Sequence, residues 1–173
     1  MANITFKFNQ TKAIEAILYL AQKISDSDIY GICKLLYLAD KTSLEKYGRF
    51  IFGETYCAME QGATPSNVYD LLKEVSQKPI DEFRVEGYQI VTMRDANTDY
   101  FSESDIECLD SIINRWGKVS NRDRREAAHD SAWKQAWDKR GKKNSIVIEI
   151  ENIARLFDDS DALIEHLRRV DAD

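Results

Sequence analysis

The stretch that decides the fold runs from Lys34 to Lys73 and reads KLLYLADKTSLEKYGRFIFGETYCAMEQGATPSNVYDLLK. It joins an apolar helical run, a glycine stop at Gly48, a short aromatic segment and a helix start at Thr64-Pro65. Gly48 favours a helix end because glycine adopts positive φ without strain. The stretch holds no nucleophile–base pair, metal-ligand spacing or phosphate-binding glycine loop. It therefore predicts a packing and recognition module rather than a catalytic one.

Two short β-hairpins are predicted from aromatic and β-branched runs that flank glycine. In the first, residues 50–52 and 55–57 surround Gly53-Glu54, a pair that suits a type II′ turn. In the second, residues 83–93 turn at Glu86-Gly87. Residues 58–62 fit either an extension of the first hairpin or the start of a helix.

Most of the remaining chain has apolar residues at helical spacing. After Thr64 as N-cap and Pro65 as first helical residue, a helix is predicted up to Pro79. The other predicted helices cover about 10–24, 28–47, 103–116 after a Ser102–Asp105 capping box, 121–140, 146–157 and 163–170. The pattern predicts a helix-dominated α+β fold of about seven or eight helices and two small hairpins, in one compact domain over residues 1–173.

The charge distribution is uneven. The chain has 173 residues, 43% of them apolar, and a net charge of −6, which is typical of a folded protein and disfavours non-specific nucleic-acid binding. Residues 118–143 hold nine basic and four acidic side chains, a net +5 that leaves −11 on the rest of the chain. This segment fits either a solvated helix face or a surface for an acidic partner or RNA.

The chain shows neither a signal peptide nor an apolar run near the eighteen or so residues of a membrane span. Its three widely spaced cysteines fit core positions in a reducing compartment. We therefore expect a cytoplasmic protein without membrane contact.

Catalytic and cofactor sites find no positive support. His129 beside Asp130 is the one candidate general base, and it has no nucleophile placed near it, so a structural role in a helix is favoured. No zinc-type spacing of Cys and His occurs, and no phosphate-binding glycine motif. We expect a protein that is not an enzyme and that uses no metal or cofactor.

Partner recognition is better supported. Exposed aromatic, Met and Arg side chains are typical of protein interfaces. The candidate partner-binding residues are Tyr47, Tyr56, Met59, Tyr69, Arg124 and Arg125. The alternative is nucleic-acid binding by the basic helix 121–140, which interleaves Arg and Lys with Trp133 and Trp137.

The stretch also resembles a known family. Its KLLYLAD helix at 34–40, Tyr47-Gly48, Gly53 and the segment 58–69 are similar to the Panacea domain, the SocA-like antitoxin family of bacteria and their phages. Ala63 stands where the family commonly has proline. The matching positions of the turn and the following helix, and of the later His-to-Trp spacing, are Gly62, Pro65, Ser66, Tyr69, His129 and Trp133.

The resemblance implies an antitoxin that neutralises a cognate toxin by direct protein contact. The toxins of such pairs are varied, and several are small alarmone synthetases that block translation. One member of the broader family is an adaptor that delivers its toxin to a protease, which leaves degradation as an alternative to sequestration. The family supplies no catalytic residues to transfer to this chain.

Overall fold

A computed structural model describes residues 3–172. Over that range the chain forms eight α-helices, a 3₁₀ turn at Thr98–Tyr100 and two small antiparallel sheets, which confirms the helix-dominated α+β prediction. The helices are α1 (Gln10–Lys23), α2 (Ile29–Tyr47), α3 (Ser66–Gln77), α4 (Glu103–Trp116), α5 (Asn121–Ala127), α6 (Ser131–Asp138), α7 (Ile150–Ala154) and α8 (Ser160–Ala172). The strands are β1 (Tyr56–Met59), β2 (Gly62–Pro65), β3 (Phe83–Glu86), β4 (Gln89–Thr92) and β5 (Ile146–Val147).

Helix α2 is the central element, and it packs against α1, α4, α5 and β2. Its first turn is capped by Asp28, whose carboxylate accepts hydrogen bonds from the backbone N–H groups of Tyr30 and Gly31. Its last turn ends at Gly48, which has φ +69° and donates to the Leu44 carbonyl. The predicted glycine stop is confirmed.

Two hydrophobic clusters form the core, and α2 contributes to both. The first cluster lies among α1, α2, α3, α4 and the β3–β4 hairpin. The second lies among the carboxyl half of α2, β1, β2, α6, α7 and α8. Because α2 supplies Leu35 and Leu36 to the first cluster and Tyr37 and Leu44 to the second, it ties the two together.

The first hairpin lies later in the chain than predicted. Strand β1 pairs with β2 from Tyr56↔Pro65 to Met59↔Gly62, so residues 60–61 make the turn. Residues 50–52 form no strand because their backbone groups bond elsewhere: Ile51 N–H donates to the Asp40 carboxylate at 2.8 Å, and the Phe52 carbonyl accepts from Asn9 N–H at 2.8 Å. Residues 58–62 are therefore hairpin rather than helix.

The second hairpin is close to its predicted place. Strands β3 and β4 pair from Phe83↔Thr92 to Glu86↔Gln89, which puts the turn at Gly87-Tyr88, one residue later than predicted. Gly87 has φ +65°, and the residue after it has negative φ. Glycine thus occupies the turn position that needs positive φ.

The predicted helix 146–157 is wrong in its first part. Residues 146–147 are strand β5, which pairs with β1 through Cys57↔Val147 and Ala58↔Ile146 and extends the first hairpin to three strands. Only Ile150–Ala154 are helical, and α8 begins at Ser160, earlier than predicted.

The predicted helix 121–140 is also wrong, because it is two helices. The first ends at Ala127, and Asp130 then caps α6 by accepting from Trp133 N–H at 2.9 Å. The same carboxylate accepts from the Tyr37 hydroxyl at 2.6 Å and the Lys41 ammonium at 2.9 Å. Asp130, which lies between the two helices, therefore connects the start of α6 to α2.

The start of α3 also differs from prediction. Thr64 and Pro65 belong to strand β2, and the helix begins at Ser66. Its first turn is capped by Glu54, a buried side chain whose carboxylate accepts from Asn67 N–H at 3.1 Å and Val68 N–H at 2.9 Å. A residue distant in sequence therefore replaces the predicted local cap.

Candidate functional site

A cleft opens where the amino end of α2, helix α3, helix α5 and the β1–β2 turn meet. Its volume is about 540 Å³, within the roughly 300–1,000 Å³ typical of ligand sites. Three of its side chains are cationic and one is acidic. The lining residues are Asp28, Tyr30, Gly31, Lys34, Gln61, Tyr69, Asn121, Arg122 and Arg125.

Lys34 is the buried cation of the cleft. It is 3% exposed, and its ammonium donates to the Thr64 hydroxyl at 3.3 Å. No carboxylate of residues 3–172 forms an ion pair with it. Burial lowers the pKa of Lys34, and the charge of Arg125 lowers it further. One hydroxyl leaves two of its three N–H groups for another acceptor.

The rim of the cleft is aromatic and basic. Arg122 and Arg125 are exposed on α5, and Tyr30 on α2 is 39% exposed. Tyr69 on α3 is half-buried, with the Lys73 ammonium 4.6 Å from its ring centroid. We call Tyr30, Tyr69, Arg122 and Arg125 the cleft rim.

The acidic residue of the cleft does not neutralise its cations. The Asp28 carboxylate is engaged as the cap of α2. Arg122 has an exposed ion pair with Glu126 at 3.6 Å, an arrangement that contributes little in water. The cleft therefore carries a local positive charge on a chain whose net charge is −6.

Arg124 positions α5 and with it the two arginines of the cleft rim. Its buried guanidinium donates to the carbonyls of Trp116 at 3.2 Å, Gly117 at 3.0 Å and Asp26 at 3.1 Å. Two of these carbonyls belong to the carboxyl end of α4, where positive charge is favourable. Burial lowers the pKa of Arg124. This side chain is part of the fold rather than of the exposed surface.

Gly31 lets α5 approach α2 closely. A Cβ atom at this position would lie 2.5 Å from the Asn121 side-chain oxygen and 3.0 Å from an Arg124 guanidinium nitrogen. The absence of a side chain on α2 therefore permits the contact that forms this wall of the cleft.

Two of the predicted partner-binding residues, Tyr69 and Arg125, meet at the cleft. Tyr47 is 40% exposed but lies about 20 Å from Lys34 along α2, at roughly 1.5 Å per residue, and its hydroxyl bonds to Glu107 on α4. Met59 is half-buried at the end of β1, where its carbonyl accepts from the Trp133 indole at 2.7 Å. These two residues are not part of the cleft.

The other two predicted residues are inside the fold. Tyr56 is 1% exposed, and its hydroxyl donates to Asp40 at 2.6 Å. Arg124 is 0% exposed. Neither presents a surface to a partner in this structure, so the prediction of direct contact is corrected for both.

Sequence reasoning missed Lys34 and Tyr30 as site residues. A signal was present, because a lysine four residues after Tyr30 lies on the same face of a helix whose other faces are largely apolar. Its burial, however, depends on β2 and α5, which contact that face only in the folded chain.

His129 has the structural role that was favoured. Its Nδ1 lies 2.6 Å from the Arg125 carbonyl oxygen and its Nε2 lies 2.9 Å from that of Glu60, while its ring packs edge-on against Trp133 at 4.3 Å. Both ring nitrogens are thus occupied by backbone. The predicted Trp133–Trp137 stack is present, with centroids 5.6 Å apart.

The remaining chemistry is sparse over the described residues. Cys33 and Cys108 are buried free thiols, and Cys57 is a half-buried one. Within residues 3–172 no group of three or more His, Cys, Asp and Glu side chains is arranged to hold a metal ion. None of the helices described is long and apolar enough to cross a bilayer.

A family model for the antitoxin SocA-like Panacea domain matches residues 32–134. The chain belongs to this antitoxin family. The Panacea match covers Lys34, Gln61, Tyr69, Arg122 and Arg125 of the cleft, whereas β5, α7 and α8 follow it. The resemblance found in the sequence is confirmed. Neither the curated proteins nor the solved structures provide a significant match.

Proposed function

We propose that this protein is an antitoxin that neutralises a toxin protein by binding it directly, with the cleft rim as a contact surface. The observation that carries the proposal is its membership in the Panacea antitoxin family over residues 32–134. The cleft is the proposed contact site because two of the predicted contact residues, Tyr69 and Arg125, both line it.

The chemistry of the rim supports a protein partner with an acidic surface. Tyrosine and arginine are enriched at the energetic centres of interfaces, and the rim presents two of each. Opposite charge speeds association and selects partners. On a chain with net charge −6, the local positive charge of the rim favours an acidic patch on the toxin.

We further propose that the protein acts in the cytoplasm and is not an enzyme. The three free thiols are consistent with a reducing compartment. The backbone contacts at both His129 nitrogens disfavour a general base at that position. From the resemblance, the expected toxin is a translation inhibitor such as a small alarmone synthetase.

Nucleic-acid binding by a continuous basic helix receives less support from the fold. The segment is divided at residues 128–130, Arg124 is buried, and the Arg140 guanidinium lies 3.6 Å from the Trp137 ring centroid. The cations of α5 and those near the end of α6 therefore do not form one stripe along a single helix.

The test is co-expression with the toxin encoded beside the gene. The wild-type protein is expected to restore growth and to co-purify with the toxin. The double variant Arg122→Glu, Arg125→Glu reverses the charge of the rim and is expected to lose both properties. The matched control is Lys142→Glu, Lys143→Glu, which makes the same change of charge on an exposed turn outside the cleft and is expected to behave as wild type.

Failure of the wild-type protein to rescue growth or to bind the toxin would contradict the antitoxin proposal itself. Equal loss in both double variants would contradict only the assignment of the rim. The amount of toxin in the cells separates sequestration from delivery to a protease. Sequestration leaves that amount unchanged, whereas an adaptor lowers it in a protease-dependent way.

A further inference from the structure

Lys34 has an unusual environment for a lysine. Buried lysines are almost always paired with a carboxylate, because removal of the ammonium from water is unfavourable. Here the ammonium has one hydroxyl partner at 3.3 Å and no ion pair among residues 3–172, and Lys34 is one of the residues that line a cleft of about 540 Å³. The missing counter-charge indicates that the cleft accepts an anion.

The number of cations favours a multiply charged anion. Lys34, Arg122 and Arg125 line one cleft, and the carboxylate of Asp28 already accepts hydrogen bonds from the backbone of α2. A single carboxylate would leave most of this positive charge unpaired. A phosphate group carries close to two negative charges and three acceptor oxygens, and guanidinium groups bind it in a bidentate manner.

The aromatic side chains extend this reasoning to the rest of the ligand. Tyr30 and Tyr69 line the same cleft as the cations, and tyrosine rings bind nucleobases by stacking. The exposed Gln61 carboxamide on the β1–β2 turn supplies both a donor and an acceptor for a base edge. Cations, rings and an amide therefore surround a space large enough for a small molecule.

We propose that this cleft binds a free nucleoside polyphosphate, with its phosphates on Lys34, Arg122 and Arg125 and its base beside Tyr30 and Tyr69. This inference goes beyond toxin neutralisation and does not depend on it. Because Arg122 and Arg125 belong to the cleft rim, a bound nucleotide and an acidic toxin surface would compete for the same guanidinium groups.

Titration calorimetry on the isolated full-length protein tests the proposal, with ATP, GTP, adenosine, inorganic pyrophosphate and a short single-stranded RNA as probes. A nucleoside triphosphate is expected to bind more tightly than pyrophosphate, and adenosine to bind weakly. Lys34→Met and the double variant Arg122→Ala, Arg125→Ala are each expected to weaken triphosphate binding about tenfold or more, because each removes charged hydrogen bonds. Lys142→Ala, Lys143→Ala is the matched control and should bind as wild type.

The two arginines are exposed, so their double variant tests the site without disturbing the core. Absence of nucleotide binding by the wild-type protein would overturn the proposal. So would unchanged binding by Lys34→Met in a folded sample. If pyrophosphate bound as tightly as the triphosphate, the proposed contact between the base and the tyrosines would be wrong. If RNA bound tightly and free nucleotides did not displace it, the cleft would be a site for a nucleic-acid strand instead.

Discussion

Replacement of Lys34 by methionine is expected to make the protein more stable. The side chain is 97% shielded from water, and its ammonium has a single hydrogen bond of 3.3 Å. Loss of that bond costs about 1–2 kcal/mol. The substitution also removes the unfavourable desolvation of a buried charge, which amounts to several kcal/mol. Methionine fills a similar volume with apolar atoms. The net change in the free energy of unfolding is an increase of about 1–3 kcal/mol.

Urea denaturation followed by circular dichroism at pH 7 measures this change. For a chain of this size the same gain raises Tm by about 2–12 °C. The matched control is Lys12→Met, which removes a paired lysine 2.7 Å from the buried carboxylate of Asp105. That variant is expected to lose about 1–3 kcal/mol, since Asp105 would keep only Arg49 as its cationic partner.

The pH dependence supplies a second readout for Lys34. Burial lowers its pKa, so the folded state releases this proton more readily than the unfolded chain does. The folded state therefore has no penalty from a charged Lys34 above pH about 10.4, the ordinary lysine pKa. The free energy of unfolding then decreases as pH falls from that value through the lower pKa of Lys34 in the folded state. The advantage of Lys34→Met over wild type should shrink at alkaline pH. A loss of more than about 1 kcal/mol at pH 7 in Lys34→Met would refute the reasoning, because it would show that the ammonium stabilises the fold.

Substitutions at three further buried polar residues, Asp40, Glu54 and Arg124, test the roles of these groups. Burial raises the pKa of Asp40 from its ordinary 3.8 to about 7. The free energy of unfolding of the wild-type protein should therefore fall by up to about 4 kcal/mol as pH rises from about 4 to 7. Urea titrations at several pH values should show a flatter profile for Asp40→Asn. Glu54→Ala should lower the free energy of unfolding by about 2–3 kcal/mol because it leaves the first turn of α3 uncapped, and Glu54→Gln should recover part of that loss. Arg124→Ala should lower it by at least about 3 kcal/mol, whereas Arg125→Ala at an exposed position should change it by less than about 0.5 kcal/mol; similar Tm values for these two variants would contradict the assigned roles.

The parts of the fold that were predicted correctly depend on local patterns. The apolar periodicity of α2, its glycine stop at Gly48 and the turn glycine at Gly87 act over a few neighbouring residues. The parts that were mispredicted depend on distant partners. Residues 50–52 have strand-forming side chains, but the Asp40 carboxylate and the backbone of Asn9 take their hydrogen bonds. Strand β5 exists because β1, far away in sequence, offers it a free edge.

The same distinction applies to the site. Tyr69 and Arg125, which line the cleft, were predicted as contact residues because aromatic and basic residues are recognisable by type alone. Tyr56 and Arg124 are also an aromatic and a basic residue, yet both are buried. The Tyr56 hydroxyl donates a hydrogen bond to Asp40, and the Arg124 guanidinium donates to carbonyls at the end of α4. Lys34 stands out because it is buried without an ion pair among the described residues. The sequence pattern cannot predict this, because the neighbours of Lys34 are determined only by the folded structure.

The arrangement of arginines on α5 has a consequence for how this protein can diversify. Arg124 fixes α5 against the end of α4 from inside the fold, whereas the side chains of Arg122 and Arg125 on the same helix are exposed and line the cleft. Under the proposed function, substitutions at the two outer positions would change what the cleft rim binds, with little effect on folding stability. If the cleft rim binds the partner as proposed, a few codon changes there would suffice to exchange one partner for another, provided that Arg124 is retained.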